Sequence, residues 1–166
     1  VVPEAPVTDP TGGTGRIDID EVGSGAIVSV TTSPTVTIGP GVSMNFGVGP
    51  ATSGNGSILV GSGRTLLNQG KISSILPGRT LTVSGGTLNN QGTLEAAAGN
   101  LTVSSVTNLT NYSSSAFSLT GGKRRAVGGS LALTPRKIRA VSAGTELEIS
   151  GAANTTPDLS EWSANA

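Results

Sequence analysis

The sequence predicts an all-β chain, a parallel β-helix (β-solenoid) with coils of about 21 residues and an extended N-terminal arm. Three observations lead there. The middle of the chain repeats itself at a short interval. Its apolar residues are mostly Val, Leu, Ile and Ala in short runs, with Gly, Ser, Thr and Asn between them. Aromatic residues, which supply much of the buried area of an ordinary globule, number only four: Phe46, Phe117, Tyr112 and Trp162. Many short strands joined by tight turns suit this composition better than a few long helices.

Taken in order, residues 1–14 are rich in Pro, Thr and Gly, carry no hydrophobic period, and read as an arm or linker. The opening Val-Val-Pro-Glu-Ala-Pro has the look of a linker or of the start of a processed segment. Residues 15–150 form the expected solenoid. Arg16 to Glu21 alternates apolar and charged side chains, the pattern of a half-buried strand. Ala26–Thr31 and Thr35–Ile38 read as strands punctuated by Gly and Pro.

The repeat follows. Leu66-Leu67-Asn68-Gln69-Gly70-Lys71-Ile72 matches Leu88-Asn89-Asn90-Gln91-Gly92-Thr93-Leu94 at an offset of 22, and Leu81-Thr82-Val83-Ser84 matches Leu101-Thr102-Val103-Ser104 at an offset of 20. Leu109-Thr110-Asn111-Tyr112 is a weaker third copy. A unit this short cannot bury its own apolar face, so units must stack. Stacking would set Leu81 beside Leu101 and Val83 beside Val103, and would align Asn68, Asn90 and Asn111 as a turn ladder, since Asn accepts turn geometry and bonds to its neighbour. Ser130–Leu133, Lys137–Val141 and Glu146–Ile149 read as further strands, and residues 151–166 as a C-terminal tail. No helix is expected.

The motifs Leu88-Asn89-Asn90-Gln91-Gly92-Thr93-Leu94 and Gly99-Asn100-Leu101-Thr102-Val103 resemble the filamentous-haemagglutinin-like and autotransporter-like β-helical repeat proteins of bacterial surfaces. Leu119-Thr120-Gly121-Gly122, Gly128-Gly129-Ser130-Leu131 and Ile138 to Gly151 are similar to very large secreted repeat proteins of environmental bacteria. The resemblance spans about residues 55–151. It implies a secreted or cell-surface location in a bacterium and a structural or adhesive role. The chain departs from the usual weakly charged pattern at Lys123-Arg124-Arg125 and Arg136-Lys137-Ile138-Arg139.

Composition narrows the chemistry. The chain has no Cys and no His, which removes disulfides, thiolate metal sites and the commonest general base. Net formal charge is zero, so bulk attraction to nucleic acid is not expected, and no apolar run reaches the roughly 20 residues of a membrane span. Polysaccharide lyases and hydrolases share the β-helix, but they need paired carboxylates and aromatic platforms. Between residues 22 and 145 the only carboxylate is Glu95. The expectation is therefore not an enzyme, with no catalytic residue, cofactor or metal. A calcium site at Asp18 and Asp20 lacks the usual ligand spacing, and a solvated strand face fits them better. A threonine ladder for ice is broken where Thr80 would meet Asn100.

Charge is uneven along the chain. Asp18, Asp20 and Glu21 belong to an acidic beginning, whereas Lys123, Arg124, Arg125, Arg136, Lys137 and Arg139 form a later basic cluster with no acid among them. Complementary patches steer association. These nine residues are the candidate contacts to another subunit or to an anion, with Asn68, Asn90 and Asn111 as the structural turn ladder. The expected function is a subunit or segment of an extracellular filament or surface fibre that self-associates end to end. The alternative is a ligand-binding passenger segment of a large adhesin, with a host surface or cell-surface glycan as partner.

Overall fold

The computed structural model describes residues 14–20, 26–49, 54–109, 112–113, 118–119, 122–126, 131–133, 140–141 and 146–149. Fifteen strands are described: β1 (Arg16–Ile19), β2 (Ala26–Val30), β3 (Thr35–Ile38), β4 (Ser43–Phe46), β5 (Gly56–Asn68), β6 (Lys71–Ser74), β7 (Thr80–Asn90), β8 (Thr93–Ala96), β9 (Asn100–Leu109), β10 (Tyr112–Ser113), β11 (Ser118–Leu119), β12 (Lys123–Ala126), β13 (Leu131–Leu133), β14 (Ala140–Val141) and β15 (Glu146–Ile149). No helix occurs among the described residues. The arm and tail expected at 1–14 and 151–166 fall almost wholly outside them.

Two parallel sheets dominate. The first has the order β1-β4-β6-β8-β12-β15; the second has the order β13-β9-β7-β5-β2, with β3 also on β5. A third sheet, β10-β11-β14, contains an antiparallel pair, β10 with β11. The expected parallel β-helix with coils of about 21 residues is therefore corrected: the strands form separate sheets that are not solenoid-like, and a β-helix is not shown. The physical reason lies in the intervals and lengths. Neighbouring strands are displaced in sequence by 20 residues at Thr80↔Asn100 but by 30 at Leu101↔Leu131 and at Thr93↔Lys123. Three strands of 13, 11 and 10 residues replace the expected short ones. The repeat near 21 holds only within β5 to β9.

Within that stretch, equivalent residues do lie side by side. Leu81 is aligned with Leu101 and Val83 with Val103, and all four are fully buried. Parallel pairing with short sequence shifts puts like on like, so each aliphatic side chain packs against its counterpart about 4.8 Å away. The drift of the offset has a local cause. β5 shifts register against β7 between Val60 and Thr65, and β7 shifts against β9 after Ser84. β2 and β3 run along the two halves of β5, interrupted where β5 bends.

The inward faces of both large sheets contribute to one hydrophobic cluster. Ile19, Met44, Phe46, Ile72 and Leu94 come from the first, and Val28, Ile58, Val83 and Leu88 from the second. Phe46, the one buried aromatic of the described core, needs room, and Gly56 provides it. A Cβ at Gly56 would fall against the Phe46 ring and the Leu81 side chain. Fully burying one such aliphatic side chain contributes about 2 kcal/mol, so the aligned columns, more than the turns, hold the sheets together.

Candidate interaction surface

The outward face of the first sheet carries the charged residues. Period-two alternation sends Ile19, Met44, Phe46, Ile72 and Leu94 inward, and Arg16, Asp18, Ser43 and Asn45 to the other face. Parallel register then builds two polar columns across the strands. One runs Arg16, Ser43, Lys71, Thr93, Lys123, Glu146; the other runs Asp18, Asn45, Ser73, Glu95, Arg125, Glu148.

At the β1 edge, Arg16 Nε donates to Asp18 Oδ1 at 2.6 Å, and both side chains remain partly or largely in solvent. That hydrogen bond, then the charge of Asp18, raises the Arg16 guanidinium above its usual pKa. Asp20 Oδ1 accepts the Gly49 backbone N–H at 2.6 Å and so ties the end of β1 to the chain after β4. Asp18 and Asp20 thus serve partners within the chain; Glu21 lies outside the described residues.

In mid-sheet, Glu95 is buried, and its Oε2 accepts from Ser73 Oγ at 3.0 Å and from Lys71 Nζ at 3.2 Å. The Lys71 side chain is 40% exposed, so this ion pair is screened from one side only. Sequence reading noted Glu95 only as a solitary acid. The signal that finds its partner was present: Ser73 precedes Glu95 by 22, the offset that relates Asn68 to Asn90.

The basic cluster is divided by the fold. Lys123 is aligned with Thr93 and Glu146, and Arg125 with Glu95 and Glu148, so both alternate with acids along the register. Arg124 lies between them in sequence but on the core side. It is fully buried, aligned with Leu94 and, through it, with Ile72 and Met44. Burial pushes its pKa down to about 10. It is no part of a surface patch. Arg136, Lys137 and Arg139 lie outside the described residues.

Asn68 and Asn90 do form a ladder. Asn68 Nδ2 donates to Asn90 Oδ1 at 2.6 Å and to the Thr93 carbonyl at 3.0 Å, and Asn90 Nδ2 donates to the Gly92 carbonyl at 3.2 Å. Both are fully buried and continue a column that begins with Ile38. Outside them, Gln69 Nε2 donates to Gln91 Oε1 at 3.0 Å. Asn111 lies outside the described residues. Replacing Asn90 by alanine is expected to cost about 1 kcal/mol, because Asn68 keeps its second acceptor. Urea unfolding checks this; an unchanged midpoint would remove the ladder from the account of stability.

Among the described residues no group of three His, Cys, Asp or Glu side chains is placed to hold a metal ion, and no helix is long and apolar enough to cross a membrane. The arrangement offers charge-compensated columns that run from one sheet edge to the other, and its chemistry is that of a contact surface. Comparison with family models, with curated proteins and with solved structures found no match to this chain.

Proposed function

We propose that this chain is a structural subunit or segment of an extracellular filament or surface fibre of a bacterium, one that associates with copies of itself. The observation that carries the reading is the open-ended parallel pairing of the first sheet. Every described neighbour pair in it is parallel, and like residues align on like from β1 to β15. Among the described residues β1 and β15 are its edges. Unpaired edges template further strands, and a head-to-tail contact that does not close generates fibres. Purified protein is expected to form fibres in negative stain at high concentration. A monodisperse monomer under the same conditions would defeat the reading.

A second reading, a ligand-binding passenger segment of an adhesin, is favoured by the outer face of the second sheet. Ser57, Thr82 and Thr102 are aligned there, beside Leu59, Ser84 and Ser104. This face is flat, uncharged and partly exposed, and Leu59 is the one large apolar residue well exposed on it. A host surface or a neutral glycan suits such a face. Retention of monomeric protein on a glycan array would favour this reading over the fibre.

A further inference from the structure

We infer that the edge strands of the first sheet are the joint between copies: β1 of one copy pairs in parallel with β15 of the next, Arg16 aligned with Glu146. This rests on the fibre reading and supplies its contact.

The two edges carry the same alternation, Arg16-Ile17-Asp18-Ile19 at one and Glu146-Leu147-Glu148-Ile149 at the other. With β1 of a second copy one strand spacing beyond β15, Ile17 comes to Leu147 and Ile19 to Ile149. Both apolar columns that already cross the sheet then continue into the next copy. Arg16 comes to Glu146, opposite charges on adjacent strands, which favours pairing. Asp18 comes to Glu148, a like-charged pair. That cost is moderated because Arg16 already holds Asp18, so one guanidinium stands among the three carboxylates.

Other registers are worse. A slip of one residue sets Ile17 and Ile19 in line with acids and turns each strand's apolar side to solvent. A slip of two keeps one aliphatic pair and leaves two residues overhanging at each end. The second sheet ends on β13, which belongs with β12, so the joint is made by the first sheets alone.

The absence of native cysteine makes the joint directly testable on the full chain. A chain carrying both Asp18→Cys and Glu148→Cys aligns two thiols at every joint. The two sites cannot bridge within one copy, because the whole width of a six-stranded sheet separates them. Mild oxidation is expected to give a ladder of covalent multimers. Asp18→Cys with Glu146→Cys, which is out of register, should give at least tenfold less, since diagonal positions lie about 7–8 Å apart. Arg16→Glu should reduce assembly at least tenfold, and adding Glu146→Arg should restore it. The in-register ladder with charge-swap rescue sustains the joint. Fibres that form with no ladder, or with equal ladders from both cysteine pairs, overturn the joint and leave the fibre reading standing. Monomers throughout, for the unmodified chain and every variant, overturn both.

Discussion

Replacing Gly92 by alanine is expected to cost about 3 kcal/mol of stability, a large fraction of what a domain of this size possesses. Gly92 closes the turn from β7 into β8, directly against the equivalent turn from β5 into β6. Gln91 N and Gly92 N both donate to the Asn68 carbonyl, at 2.8 and 2.7 Å, and Thr93 N donates to the Gly70 carbonyl at 2.8 Å. These bonds draw the α-carbon of Gly92 onto the turn beside it. A Cβ at Gly92 would fall on the Gly70 carbonyl oxygen, with the Gln69 carbonyl carbon and the Gly70 nitrogen next to it. All three are backbone atoms, and none can swing aside as a side chain would. Relief requires the two turns to separate, which gives up three hydrogen bonds worth about 1 kcal/mol each. Gly63→Ala is the control. Gly63 has a positive φ of 69°, but a Cβ there meets nothing within 4 Å. Its cost should be only that of the left-handed backbone, about 1 kcal/mol. Urea midpoints of the two variants decide the matter; equal losses would show that close packing of the turns is not what selects glycine at Gly92.

The same turns explain how much of the fold could be read from the chain. Asn-Gln-Gly recurs because each of its residues has a duty that depends on the turn beside it. Asn bonds along the ladder, Gln bonds outside it, and Gly permits the approach. Repetition of duty leaves repetition of letters. Thr35–Ile38 and Glu146–Ile149 were equally legible, since alternation of apolar with polar residues is what a half-buried strand requires. β4 was not read as a strand. Ser43-Met44-Asn45-Phe46 alternates correctly, but it holds two apolar residues between glycines and looks like loop. Its strand character comes from β1 and β6 on either side. β12 was hidden for a related reason. Lys123-Arg124-Arg125 shows no alternation, and only the register with β8 and β15 makes a strand of it.

The regular coil failed as an expectation because a repeat reports its own stretch and nothing beyond. Outside β5 to β9 the connections lengthen, and β10 and β11 are inserted between β9 and β12. Strands still find parallel neighbours, because aligned aliphatic columns favour the pairing whatever the length of the connection. Loop length costs only about 0.6 kcal/mol per doubling, so the interval is free to wander while the columns stay in register. The charged face was illegible for the same reason. Lys123 and Arg125 lie far from any acid in sequence, and only the strand order sets them beside Glu146, Glu148 and Glu95.

Arg124 is where the column rule is broken, and replacing it by methionine is expected to raise stability at neutral pH by about 2 kcal/mol. The guanidinium occupies a position that Met44, Ile72 and Leu94 fill in the neighbouring strands, and it is fully buried. Burial lowers its pKa from 12.5 to about 10, which corresponds to about 3 kcal/mol against the charged form. Arg124 retains an interaction with its surroundings, which offsets part of that cost and sets the expected gain below it. Methionine keeps the length and flexibility of the stem without the charge. The pH dependence follows from the direction of the shift. A cation with a lowered folded-state pKa weighs fully against the fold below pH 10. The unfolded state binds the extra proton between about pH 10 and 12.5, so stability rises through that window. The advantage of Arg124→Met should therefore be level from neutrality to about pH 10 and shrink above it. Thermal unfolding of both proteins across that range is the measurement. A methionine variant less stable than the parent would mean that the buried charge is fully compensated, and that the guanidinium holds the two sheets together more strongly than the aliphatic side chain it displaces.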